Sequence, residues 1–385
     1  MEKVKKVSVV GIGGVGTNAA CFSTDIAQHV VIYNRKRTQD DERVDGICRD
    51  MYDAVCASTG CRITGTNSYE DMADSDFVAI TIGLGREYPY ETRDMLFFRN
   101  ASLMKSCLDS IYNVAPNARV IISTNPVDYM GTIALKAGFK EGNILCLGGE
   151  VDKARLARLI CSALQTKTGR YVSPEEITDI YVLGSHGPTM IPVFSNGKFE
   201  GKPLGDILDN DTMEKIVKGT RSEGATITKK RGKSAIIGPG AAMARMISKI
   251  TNGEELLAHT YFQVDELKQF GVQNIKCDKA FLGLPFKIVN NEKRITKIEM
   301  SESEQSALEK FIEGQGNRDN EVETILSKTQ EGLSESEKIE NFIGFMKQKG
   351  VIIRPLPEEV DTYETYKEGD GHESAATMNI KKYVG

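Results

Sequence analysis

A run of β-branched residues, Val7 to Val10, passes directly into Gly11-Ile12-Gly13-Gly14-Val15-Gly16 near the start of a 385-residue chain. This G-x-G-x-x-G turn limits the possible folds more than any other feature. Glycine at the first position permits a tight turn, at the second it lets backbone approach a pyrophosphate, and at the third it lets the following helix lie close on the strand. The helix N-terminus then presents unpaired N–H groups to the anion. A strand before the turn, a helix after it and a second strand at His29 to Tyr33 supply the βαβ setting that the motif requires, and assign Gly11, Gly13 and Gly16 to a dinucleotide.

The alternation continues. Apolar runs recur at Phe77 to Ile82, Val120 to Ile122 and Ile144 to Leu147, each continuous, as in strands buried on both faces. Helical stretches lie between, at Asp41 to Val55, Thr92 to Val114 and Val127 to Ala137. The order predicts an α/β fold with a doubly wound parallel sheet over residues 1–147. Beyond Gly148-Gly149 the pattern changes to a helix at Asp152 to Leu164, a strand at Ile180 to Leu183, helices at Met213 to Ser222 and Ala241 to Ile250, and strands at Ala280 to Val289 and Ile295 to Met300. A helix from Glu302 to Ile312 closes this second, α+β domain, residues 148–314.

Residues 315–385 form an extra C-terminal extension with 9 basic and 14 acidic residues, which accounts for the whole net charge of −5. One amphipathic helix, Ser336 to Gln348 with Ile339, Phe342, Ile343 and Met346 on one stripe, and the strand-like Val351-Ile352-Ile353 are expected to dock. Glu358 to Ser374 reads as loosely attached. With no basic excess, nucleic acid is not an expected partner. The eight cysteines include no C-x-x-C pair, so reduced thiols and no metal site are expected. No apolar run is long enough for a membrane span and none reads as a signal peptide, so the expected location is cytoplasmic.

At the end of the second strand, where an acid would contact ribose hydroxyls, the chain has Asn34, followed by Arg35-Lys36-Arg37. An acid there would repel a 2′-phosphate, whereas Asn34 removes that repulsion and Arg35 and Arg37 supply bidentate donors. NADP is therefore favoured, with NAD possible.

His186 lies in Gly184-Ser185-His186-Gly187-Pro188, just after a strand, and its imidazole suits proton exchange near neutral pH. Asp152 and Arg155 are three apart at a helix start and share a face. Gly83 to Asp94 carries Arg86 and Arg93 on a loop after a parallel strand, where ligands of such sheets bind. Ser123-Thr124-Asn125-Pro126-Val127-Asp128 ends another strand in an amide beside proline.

Taken in order, these pieces resemble the malate/lactate dehydrogenase family of 2-hydroxy acid dehydrogenases over about residues 4–314. Ser234-Ala235, Gly238-Pro239-Gly240-Ala241-Ala242 and Arg49-Asp50-Met51-Tyr52-Asp53-Ala54 add to the likeness, which is closest to malate dehydrogenase-like members that can use NADP. The resemblance implies a Rossmann fold and interconversion of malate and oxaloacetate by hydride transfer. It makes His186 the acid and base, oriented by Asp152, with Arg93 polarising the carbonyl. Arg155 would grip the substrate C1 carboxylate and Arg86 the second carboxylate of a dicarboxylic acid. Asn125 would bond near the reacting centre, and Asn100 would line the pocket or cofactor. A homodimer or homotetramer is implied as well. Arg86 and Arg93 are seven apart, one more than the usual family spacing, and Ser185 and Pro188 replace the residues common around the His-Gly pair. A lactate or other 2-hydroxy acid dehydrogenase is the nearest alternative. An NAD-dependent glycosidase and a non-catalytic scaffold acting through the extension are more distant ones.

Overall fold

The computed structural model of the chain describes residues 3–55, 59–85, 93–273, 275–315, 318–329, 333–348, 351–355, 362–367 and 376–379. The first 146 residues run β1 (Val4–Val10), α1 (Gly14–Ser23), β2 (Ala27–Tyr33), α2 (Arg43–Val55), β3 (Arg62–Thr66), β4 (Phe77–Ile80), α3 (Arg93–Val114), β5 (Arg119–Ile122), α4 (Val127–Lys136) and β6 (Ile144–Cys146). These six strands are parallel in the order 3-2-1-4-5-6. Their residues Val9, Ile32, Val78, Ile80 and Ile121 are fully buried, which is why the runs read as continuously apolar. Each such side chain contributes about 1.5–3 kcal/mol by leaving water. The strand order reverses between β1 and β4, and a ligand cleft opens at such a point, outside the carboxyl ends of the strands.

The second part continues with α5 (Gly149–Thr168), β7 (Ile177–Thr178), β8 (Tyr181–Leu183), β9 (Ile191–Val193), β10 (Lys198–Phe199), β11 (Lys202–Pro203), α6 (Leu204–Ile207), α7 (Asn210–Arg231) and α8 (Ile237–Thr251). It ends with β12 (Leu256–Gln263), α9 (Val264–Phe270), β13 (Lys279–Val289), β14 (Glu292–Ile295) and α10 (Glu302–Glu313). The parallel sheet does not stop at β6. Strands β12, β13 and β14 add to its edge antiparallel, giving nine strands in one sheet among the described residues. The strand expected at Ile295 to Met300 is displaced: β14 spans Glu292–Ile295, turned back on β13 by Asn290 and Asn291 at positive φ. After Ile295 the next β13 residue opposite is Pro285, which accepts from the Thr296 N–H at 3.1 Å but has no N–H to return, so the ladder with β13 ends there.

The extension is no appendage. Its helices α11 (Arg318–Lys328) and α12 (Glu335–Gln348) lay Val322, Ile325, Phe342, Phe345 and Met346 into the same core as α3 and α4, with exposures of 0–4%. Phe342 meets Phe98 of α3 edge-on at 5.2 Å between ring centroids. Three further strands, β15 (Val351–Pro355), β16 (Thr362–Lys367) and β17 (Ala376–Asn379), pair antiparallel. The stretch expected to be loose, 358–374, thus contains β16; the remainder of it lies outside the described residues.

Candidate active site

At the cofactor end, Gly11 sits at φ +105°, a conformation open to glycine and strained for other residues. A Cβ on Gly16 would fall 1.9 Å from the Gly11 carbonyl oxygen, so α1 lies against the turn only because that residue is glycine. Around Gly13 a Cβ would meet nothing within 4 Å, which leaves open space beside the backbone at the helix N-terminus. Tight turn, open approach and close packing therefore occur at the first, second and third glycines respectively, and the residues present fit a dinucleotide pyrophosphate.

The ribose side of this turn is exposed. Asn34 donates from Nδ2 to the Arg35 carbonyl at 2.9 Å, while its own backbone is tied to Thr66 and Asn67 of the β3 end. The side chains of Arg35 and Arg37 are exposed and make no hydrogen bond or ion pair among the described residues. Asp41 turns back on this loop, accepting from the Arg37 N–H at 2.9 Å and from Arg43 Nε at 2.7 Å. The Arg43 guanidinium holds that carboxyl below the usual carboxylate range.

The catalytic end is assembled from three separate stretches. Asp152 lies in the first turn of α5, directly after β6, and its side chain is 1% exposed. His186 follows β8, whose path is set by Gly184 at φ +80° and by two backbone hydrogen bonds between Gly184 and Gly283 of β13, 3.0 and 2.8 Å. The result is a hydrogen bond of 2.6 Å between His186 Nδ1 and Asp152 Oδ2. Arg155, one turn along α5, donates to the other oxygen, Asp152 Oδ1, at 3.0 Å. Gly224 of α7 lies beside the Arg155 guanidinium.

Arg93, the first residue of α3, reaches the same place, donating to the His186 carbonyl at 3.2 Å and to Asp128 Oδ2 at 3.1 Å. A side chain at 187 would collide with it, since a Cβ on Gly187 would lie 2.6 Å from Arg93 Nη1. Ser185 is buried and bonds Thr189 at 2.7 Å, so the departure from family pattern before His186 closes its loop on itself.

Four of the expected residues, His186, Asp152, Arg155 and Arg93, are thus brought together. Asn125 lies exposed at the end of β5. Asn100 is 1% exposed, its Oδ1 accepting from Leu84 N–H and its Nδ2 donating to the carbonyls of Leu84 and Asn125. It clips two strand-end loops together from beneath and has no donor left for a cofactor. Arg86 lies outside the described residues. Among the described residues no three His, Cys, Asp or Glu side chains are grouped to hold a metal ion.

Two residues of this cluster escaped the sequence reading. Asp128 is 4% exposed; burial would raise its carboxyl, but His259, Arg318, Arg93 and His186 together bring it below its ordinary value. His259 is buried in β12, and its ring centroid is 6.2 Å from that of His186, edge to face. The available signal was rarity: His259 is one of four histidines, standing in an apolar run.

Residues 5–145 match the family model of the lactate/malate dehydrogenase NAD binding domain, and residues 150–323 that of the lactate/malate dehydrogenase alpha/beta C-terminal domain. The malate dehydrogenase of Chlorobium chlorochromatii (strain CaD3) is 31% identical over 316 residues, 79% of this chain and 94% of that protein. The malate dehydrogenase of Picrophilus torridus, solved in its apo form, aligns with a TM-score of 0.73 at 27% identity, covering 85% of this chain and 99% of the other. A Cryptosporidium parvum lactate dehydrogenase solved with lactic acid and β-nicotinamide adenine dinucleotide gives 0.71 at 22% identity, covering 84% and 99%, a likeness of fold alone.

Proposed function

Because the chain belongs to the lactate/malate dehydrogenase family, we propose that it is an oxidoreductase interconverting malate and oxaloacetate with a nicotinamide dinucleotide held at Gly11, Gly13 and Gly16. The observation that carries the reading is the 2.6 Å His186–Asp152 pair with both Arg155 and Arg93 directed to it. The bound nicotinamide would supply two-electron hydride chemistry. Engagement of Nδ1 by Asp152 fixes the imidazole tautomer and leaves Nε2 for substrate. In reduction His186 gives its Nε2 proton to the carbonyl oxygen, and in oxidation it takes one from the hydroxyl, while the buried Asp152 carboxylate stabilises the imidazolium. Arg93 stabilises charge developing on that oxygen, and Arg155 grips the C1 carboxylate at two points, holding the reacting carbon in register.

Arg86 is the proposed reader of the second carboxylate, which favours oxaloacetate over pyruvate because a desolvated, unpaired guanidinium is costly. Asn125 bonds near the reacting centre. We further propose NADP as the preferred cofactor, NAD being accepted, with Asn34, Arg35 and Arg37 at the 2′-phosphate. Support comes from the free guanidinia of Arg35 and Arg37 and from the occupation of Asp41 by Arg43, which removes a repelling charge. The same reading divides the chain at 147 and 314, and takes the protein as a cytoplasmic homo-oligomer. Turnover of oxaloacetate, pyruvate and longer 2-keto acids, each with NADPH and NADH, tests it. Oxaloacetate is expected to lead, and Arg86→Gln to cost it at least about tenfold. Turnover of none overturns the reading, and a lead for pyruvate moves it to a lactate dehydrogenase.

A further inference from the structure

Arg93 and Asp128 lie on different helices, and the same two helices meet again one turn further along. Arg93 opens α3 and pairs with Asp128, in the first turn of α4, at 3.1 Å. Phe97, four residues on from Arg93, stacks on Tyr129, the neighbour of Asp128, with ring centroids 4.4 Å apart and planes at 24°. An ion pair and an aromatic stack thus tie the starts of α3 and α4 side by side.

The C-terminal extension closes on both helices at this tie. From α11, Glu321 accepts from the Tyr129 hydroxyl at 2.9 Å, and Arg318 lies 5.8 Å from the centroids of the Tyr129 and Phe281 rings while donating to the Phe281 carbonyl at 3.0 Å. From α12, Phe342 and Phe345 meet Phe98 of α3 at 5.2 and 5.8 Å between ring centroids. These three phenylalanines are buried, and Asn341 of α12 donates to the Lys328 carbonyl of α11 at 3.1 Å, which joins the two bracing helices. Helix α12 lies wholly beyond residue 323, where the match to the family model ends, so its contacts are added to those of the matched domains.

Packing of this kind sets position. Met95, Leu96, Phe97 and Phe98 are all buried, and a close-packed helix passes a displacement along its length instead of absorbing it. A shift at Phe98 is therefore a shift at Arg93, five residues earlier on the same helix. Arg93 has to meet charge developing on a single oxygen, and misplacement by about 1 Å can cost about 10²-fold in rate.

We propose that the extension positions Arg93: Phe342, through Phe98, and Glu321, through Tyr129, hold the starts of α3 and α4 in the register at which Arg93 reaches Asp128 and the His186 carbonyl. Phe342 is thus a positioning residue that acts through α3. This rests on the malate dehydrogenase reading above, because it is the role of Arg93 in that reaction that the brace serves.

The test measures the single-turnover rate of oxaloacetate reduction, the Kd of the reduced cofactor that wild type uses faster, and Tm. The variants are Phe342→Ala and Phe342→Leu in the full chain, each also combined with Arg93→Ala. Phe342→Ala is expected to lower the rate about tenfold with cofactor Kd within about twofold, and Phe342→Leu, which refills most of the space, to stay within about threefold of wild type. Once Arg93→Ala has removed the group being positioned, Phe342→Ala should cost less than about twofold more. A general loosening of the core would lower the rate by the same factor in both backgrounds; that result overturns the proposal, as does a wild-type rate in Phe342→Ala. Should Phe342→Ala not fold, Tyr129→Phe, which removes only the hydroxyl bound by Glu321, enters the same cycle. A loss of about threefold with Arg93 present and none without it supports the brace, and equal factors in the two backgrounds overturn it. Wild-type protein inactive on every 2-keto acid defeats the functional reading itself, a result distinct from active wild type indifferent to Phe342→Ala.

Discussion

Around His186 the charged side chains are held by one another and the two carboxylates, Asp152 and Asp128, are buried, whereas after β2 the cations stand in solvent. Asp152 is 1% exposed and its two oxygens are taken by His186 and Arg155. The side chains of Arg35 and Arg37, by contrast, are exposed and make no hydrogen bond or ion pair among the described residues. The difference follows from where each lies: Asp152 starts a helix packed between the sheet and α7, while the residues after β2 cross the rim of the sheet. A charge in a low-dielectric site interacts several times more strongly than one in water. The two ends should therefore answer to mutation, pH and salt in different measure.

The largest expected effect is at the closed end. His186→Asn should lower kcat by about 10³-fold with little change in cofactor affinity, and Asp152→Asn, which leaves the ring without its anchoring anion, should come close to it. Stopped-flow and steady-state kinetics of both variants decide this, and a loss under tenfold for His186→Asn would break the comparison. Second comes the acid response of stability. Burial holds His259 down to about 4 from an ordinary 6.5, so the unfolded chain takes up a proton that the folded one refuses. The contribution is complete above about pH 6.5 and is lost as pH falls towards 4, amounting to about 3 kcal/mol in all. Urea midpoints across that range should decline more steeply for wild type than for His259→Gln. Smallest is the open end: Arg35→Ala with Arg37→Ala should raise KM for NADPH about tenfold at low ionic strength, less as salt is added, and leave NADH nearly unchanged. An NADPH preference that survives both substitutions would falsify the phosphate-pairing assignment.

Local features were readable from the chain itself. The glycine turn works through three positions within six residues, and Asp152 with Arg155 share a face because a helix brings i and i+3 together. The continuous runs at Val7 to Val10 and Val120 to Ile122 announced strands covered on both sides. Less readable were parts whose meaning depends on distant partners. Strand β12 contains a histidine and a threonine among apolar residues, and it becomes intelligible only between β6 and β13. The acidic extension gave no sign that Phe342 and Met346 would join the core of α3 and α4, since an amphipathic stripe does not state which surface it covers. The resemblance placed Asn100 at the pocket or cofactor, but it could not show that its amide bonds the backbone of Leu84 and Asn125.

The amino-acid order alone determined the parallel sheet and its glycine turn, because periodicity and short-range spacing encode these. Tertiary structure decided that Arg93 meets His186, 93 positions along the chain, and that His259 and Asp128 lie behind them. It also decided that Asn100 serves the backbone. Each of these depends on which strand ends converge and on how much water is excluded there, and no local pattern carries that information.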